Sequence, residues 1–175
     1  ETGRPIADAI VWQCGRAKEL CKRVDDAGWS EAVRSATGIP ISPFFPASKF
    51  AWLVENTPGA AEKAKEHKLC FGTIDAWLVY KLTGGRSYKT DYSNASRTQL
   101  FNIHTLQWDE QVCAAFGLNP ADLPEVASSD AWFGMTDIGG VLPHEVPICG
   151  VLGDSHAALF GQGCLRSGMA KATYG

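Results

Sequence analysis

Pro147-Ile148-Cys149-Gly150-Val151-Leu152-Gly153-Asp154-Ser155-His156-Ala157-Ala158-Leu159-Phe160-Gly161 is the stretch from which the rest of the chain is read. An apolar run, expected as a buried strand, stops at a glycine. An acid follows at once, and an apolar helical segment begins. Such a strand-to-helix corner sets one polar side chain at the carboxyl end of a sheet, where open α/β sheets form their clefts. Asp154 is therefore the first candidate for chemistry. The same position suits a helix N-cap, which Asp fills well.

Outward from that corner, strands and helices alternate with few hairpin signals. This points to an α/β fold with part of its sheet parallel. Ile6–Trp12 reads as a strand with an aromatic at its end. Arg16–Ala27 reads as a helix carrying Leu20 and Val24, closed by Gly28, and a short helix follows Ser30 and ends at Gly38. Pro40, Pro43 and Pro46 make a stiff loop around Phe44 and Phe45. Helices are expected over 48–56, 60–67, 73–82 and 109–116, and short strands over 87–90 and 99–103. Residues 91–98 read as a polar loop, 120–124 as a turn, and Met169–Thr173 as a last strand. A strand placed there, and a start at Glu1, suggest a piece of a longer protein.

Composition narrows the function classes. The chain has 175 residues, 45% hydrophobic and 20% charged, with a net charge of -3. That is ordinary for one globular domain. The lysines and arginines are scattered, so no nucleic-acid partner is expected. No apolar run approaches the ~20 residues that span a bilayer, and no signal peptide is visible. The six cysteines contain no Cys-x-x-Cys pair and no zinc spacing. They read as reduced thiols of a cytoplasmic protein, and no metal ligand is assigned.

Three features could carry chemistry: Asp154, Trp12 followed by Gln13, and the Phe44–Phe45 loop. A rigid aromatic loop near a carboxylate suits a small-molecule pocket, though core packing is the favoured explanation for the two phenylalanines. Gly153-Asp154-Ser155 also opens a class of serine esterases. Adjacent Ser155 and His156 would point about 100° apart on a helix and make a poor nucleophile–base pair. No Asp-x-x-His follows either, so that reading is set aside.

A resemblance takes the reading further. Phe44-Phe45-Pro46-Ala47-Ser48-Lys49-Phe50-Ala51-Trp52-Leu53-Val54-Glu55-Asn56 resembles the first signature of the FGGY carbohydrate kinases, with its Lys-aromatic-x-Trp-Leu core. Ala9–Gln13, Phe71–Leu78, Asn94–Thr98, Leu100–Asp109, Leu123–Val126, Gly153-Asp154, Ala157–Gln162 and Thr173–Gly175 are similar to blocks of the glycerol kinase branch. The resemblance implies an actin-like, ribonuclease-H-like α/β fold, present in part. It makes residues 1–175 most of the N-terminal, substrate-binding domain. The first strands and the C-terminal ATP-binding domain would lie outside the chain, as would most nucleotide contacts.

The resemblance implies ATP-dependent phosphoryl transfer to a hydroxyl of glycerol or a related polyol or sugar, with Mg²⁺. Asp154 takes the place of the general base, and Trp12 that of an aromatic wall. Phe44 stands where glycerol kinases carry a tyrosine, and Ser155 where they carry a glutamine. After Gln13, Cys14-Gly15-Arg16 replaces an acid-Arg-Arg run. A site built to hydrogen-bond a hydroxyl discriminates through that contact, so a kinase for another sugar, such as a pentulose, is an alternative acceptor reading. A non-catalytic polyol-binding relative is the other. The isolated piece is expected to be inactive, and the full-length protein to be a homodimer. Gly140-Val141-Leu142-Pro143-His144-Glu145 resembles the Gly-rich, arginine-ended loop on which some bacterial glycerol kinases bind an inhibitory sugar bisphosphate, but Leu142-Pro143 lacks the glycine backbone that could cradle a phosphate and Glu145 would repel one. No such inhibition is expected.

Overall fold

Helices crowd the first half of the chain, where apolar residues recur at helical spacing. The structure, a computed structural model, describes residues 2–174. Helix α1 (Lys18–Asp26) buries Leu20, Cys21 and Val24 along one face. Gly28 follows it with φ +86°, and its N–H donates to Asp25 O at 2.8 Å. Helix α2 (Ser30–Thr37) buries Val33 and Thr37 and ends at Gly38, which is left-handed with its N–H on Arg34 O. Full burial of Val33 contributes ~1.5–3 kcal/mol. Helix α3 (Pro46–Asn56) starts on Pro46, whose missing N–H costs nothing in a first turn. Helices α4 (Ala60–Lys65) and α5 (Ile74–Leu82) follow.

Strand β1 (Lys89–Asp91) leads directly into a one-turn helix, α6 (Tyr92–Ala95). The segment 91–98 is therefore not the simple polar loop expected. Asp91 caps the turn, its carboxylate taking the N–H groups of Ser93 and Asn94. Strands β2 (Phe101–Asn102) and β3 (Gln107–Trp108) form a hairpin, and Asp109 caps α7 (Glu110–Ala115). A 3₁₀ turn at Pro120–Asp122 precedes β4 (Glu125–Ala127). Strands β5 (Gly134–Thr136) and β6 (Val146–Ile148) pair antiparallel, and α8 (Asp154–Gly161) completes the described elements.

The parallel pairing expected is β1 with β4, Thr90 opposite Val126. Leu20, Val24, Val33, Ala47, Ala51, Phe71, Leu100, Val112 and Phe116 pack into one core under α1, α2, α3 and α7. Phe133 is wholly buried beside β5. Gly134, φ +139°, sits against α5's end: a Cβ there would meet Thr83 Cγ2 at 2.7 Å.

Three sequence expectations fail, the first two for one physical reason. Ile6–Trp12 is not a strand, nor is Met169–Thr173. β6 is a strand, but Val146 and Pro147 are exposed rather than buried. An extended run needs a partner for its backbone groups. Among the described residues, neither run pairs with a strand.

Candidate functional site

At the corner itself, Gly153 is the N-cap of α8, extended at φ -60° and ψ 145°. Asp154 is thus the first helical residue rather than the cap. A carboxylate in a first turn still opposes the helix dipole favourably. Its side chain is exposed, as are those of Ser155 and His156. Among the described residues, its one hydrogen bond comes from Ser155 N–H at 2.6 Å. No residue of α8 is fully buried, Ala158 and Leu159 being half-buried.

The backbone before it is held by hydrogen bonds. Gly153 N–H donates to Ser93 Oγ at 2.7 Å, and Val151 N–H to Ser129 O at 3.0 Å. Both serines turn their hydroxyls to one acceptor, Asp91 Oδ2, at 2.6 Å each. Asp91 is fully buried. Burial pushes its carboxyl up, but the hydroxyls of Ser129 and Ser93 and the amides of Asn94 and Ser93 outweigh that and hold it below the ordinary carboxylate value.

The aromatic wall forms on the proline loop. Trp12 and Phe44 lie with ring centroids 5.2 Å apart, and Phe44 meets Phe45 edge-on at 5.1 Å. Trp12 is 60% and Phe44 46% exposed, whereas Phe45 is buried, so core packing accounts for only one of the two phenylalanines. Lys49, buried in α3, donates from Nζ to Phe44 O at 2.7 Å and to Trp12 O at 3.2 Å. One ammonium thereby joins two aromatic residues 32 positions apart in sequence. Burial pushes its pKa down, and the neighbouring Cys14 and Cys21 pull it back up. Arg16 Nε donates to Cys14 Sγ at 2.9 Å, and Arg16's backbone and guanidinium hold that thiol below its ordinary value.

Segment 91–98 touches both halves of this surface. Its start holds Gly153 through Ser93. Its end receives the first turn of α3, Ala47 N–H on Thr98 O at 2.9 Å, and lays Arg97 against the Phe45 ring at 5.0 Å. The structure thus pairs Trp12 with Phe44, and segment 91–98 joins the Asp154 and Ser155 corner to the aromatic loop among the described residues. Concavities of about 430 and 350 Å³ lie elsewhere, at Cys21–Ile41 and around Phe71 and Asp122. Sequence reading missed Asp91, Ser93, Ser129 and Lys49. The only local signal for the first two was an acid two and three positions before small polar residues, the pattern of an N-cap.

Among the described residues, no three His, Cys, Asp or Glu side chains converge as a metal site. A single exposed carboxylate fits a Mg²⁺ that takes its remaining ligands from phosphate and water. All six cysteines are free, and no described helix is long and apolar enough to cross a membrane.

The profile of the FGGY family of carbohydrate kinases, N-terminal domain, matches residues 1–161. Glycerol kinase of Klebsiella pneumoniae and glycerol kinase 1 of Thermotoga maritima are each 49% identical over all 175 residues. The chain spans 35% of the length of each. Plasmodium falciparum glycerol kinase, solved with ADP, superposes with a TM-score of 0.85 at 36% identity, over 93% of this chain and 32% of that one. Xylulose kinase from Lactobacillus acidophilus superposes with a TM-score of 0.73 at 21% identity, over 89% and 31%, a likeness of fold alone.

Proposed function

The chain belongs to the FGGY family of carbohydrate kinases, and on that footing we propose that the full-length protein transfers the γ-phosphate of ATP to a hydroxyl of glycerol or a related polyol or sugar. Its fold is the actin-like one of that family. In this reading the chain is most of the substrate-binding domain of a cytoplasmic homodimer, and the nucleotide binds mainly to the other domain. The observation that carries the reading is the tethered corner: an exposed carboxylate at the start of α8, its backbone held by the segment that also seats the aromatic loop.

A sugar hydroxyl is a weak nucleophile. A carboxylate within hydrogen-bond reach orients it and takes its proton as the oxygen–phosphorus bond forms. Asp154 has the exposure for this role. As that bond forms, the bond from phosphorus to the bridging oxygen breaks, and ADP leaves with that electron pair. When bound, Mg²⁺ neutralises charge on the phosphates. Trp12 and Phe44 offer apolar faces to the carbons of the acceptor. Ser155 presents a short hydroxyl beside the base.

Phe44 also favours a second acceptor reading. Its ring carries no hydroxyl and is nearly half exposed, so it ranks acceptors by shape rather than by a hydrogen bond. A pentulose or a longer polyol would then compete with glycerol. A substrate panel on the full-length protein separates these, with Asp154→Asn as the control. The expected result is a fall in kcat of about 10²–10⁴-fold with the acceptor KM little changed. Retention of most activity would remove Asp154 as the base. Absence of transfer to every acceptor by the unsubstituted protein, with binding intact, would leave a non-catalytic relative.

A further inference from the structure

Asp154 poses a mechanical problem. A general base must be held to a fraction of an ångström, and misplacement by about 1 Å costs on the order of 10²-fold in rate. Yet, among the described residues, Asp154 is exposed, no residue of its helix is fully buried, and its carboxylate accepts only from the amide of the next residue. Among the described residues, the backbone is where rigidity enters. Two hydrogen bonds bring it there, at Val151 and Gly153, and both acceptors belong to serines whose hydroxyls converge on Asp91.

We propose that Asp91 is a positioning residue for phosphoryl transfer: through Ser93 and Ser129 it fixes the backbone of Val151 and Gly153, and with it the place of the Asp154 carboxylate. The proposal rests on the reading of Asp154 as the base. The polarity of the relay is set by its end. A carboxylate only accepts, so Ser93 must give its one proton to Asp91 and present lone pairs to Gly153 N–H. A hydroxyl whose proton is drawn to an anion is itself a stronger acceptor. Ser129 works in parallel, its hydroxyl on Asp91 and its carbonyl on Val151. The remaining Asp91 oxygen takes the backbone and side-chain N–H groups of Asn94, at 3.0 and 2.7 Å. The anchor is therefore locked to α6, which is itself built into the core side of the site.

Gly153 fits the same device. A Cβ at that position would stand 3.4 Å from Ser93 Oγ and 3.4 Å from His156 Nδ1. Both are ordinary van der Waals distances, so it is the N–H bond to Ser93 rather than a lack of space that ties Gly153 to the relay.

The test is a double-mutant cycle in the full-length protein. Ser93→Ala removes the acceptor for Gly153 N–H and leaves Asp154 in place. Its expected effect is a fall in kcat of roughly ten- to a hundredfold, with the acceptor KM within about twofold. Ser93→Thr, which keeps the hydroxyl, restores most of the loss. In the Asp154→Asn background, Ser93→Ala adds little further loss, because the relay acts only through that carboxylate. Full kcat in Ser93→Ala would overturn the relay while leaving the base intact. An equal loss in both backgrounds would also overturn it, since the serine would then act on general stability. Should Ser93→Ala fail to fold, Ser129→Ala read in the same two backgrounds decides in the same terms. Retained activity in Asp154→Asn alone identifies failure of the base assignment instead.

Discussion

Five hydrogen bonds end on the Asp91 carboxylate, from Ser93 N–H and Oγ, Asn94 N–H and Nδ2, and Ser129 Oγ. They lower its folded pKa against the burial that raises it. A group with a depressed folded value contributes stability above its unfolded value, about 3.9 for Asp, and loses it as pH falls through the folded value. Asp91→Asn is therefore expected to lower stability by ~2 kcal/mol at pH 7, since its NH₂ would face hydroxyl protons. The gap to the parent protein should narrow below about pH 4, where the parent loses the same charge. Urea unfolding of both proteins at pH 7 and pH 3 checks this. A gap that stayed constant across that range would mean the charge contributes nothing. Asp91 was illegible as a hub because its partners lie two, three and 38 residues away, and only the last, Ser129, arrives by the β1–β4 pairing.

Elements with local signals were legible. α1, α2 and α3 stand where apolar spacing and glycine stops place them, within a residue or two, with Pro46, read as part of the loop, instead opening α3. α6 was not legible, because a one-turn helix has no period to show. The loop between β5 and β6 carries its own prediction. Arg86 pairs with Glu145 and donates to Met135 O at 3.1 Å. The loop thus presents a carboxylate already engaged with the nearest described guanidinium, and Leu142-Pro143 supplies no run of free N–H groups to cradle phosphate. Activity of the full-length protein is expected to be unchanged by fructose 1,6-bisphosphate. Measurable inhibition in a coupled assay would show that the loop binds the anion despite Glu145.

At the scale of the whole molecule, much apolar surface is uncovered. Ile74, Leu78 and Leu82 line one face of α5 at 69%, 51% and 37% exposure, and Phe160 and Leu165 are about two-thirds exposed. Contiguous apolar surface of this kind marks a face made for contact. The 175-residue chain on its own is expected to bind a hydrophobic dye more strongly than the full-length protein, and to turn over no ATP. Equal dye binding, or ATP turnover by the short chain, would contradict this. The sequence by itself determined the family and the helices with clear spacing, and singled out Asp154 as a candidate, because motif chemistry and helical period are local properties. Only the tertiary structure decided that Asp154 follows the cap rather than being it, that Ile6–Trp12 pairs with no strand among the described residues, and that Lys49 joins Trp12 to Phe44. It alone brought Asp91, Ser93 and Ser129 under Gly153. Hydrogen bonds between residues tens of positions apart depend on how segments pack, and the composition of the Asp154 corner contains nothing about the carboxylate that holds it.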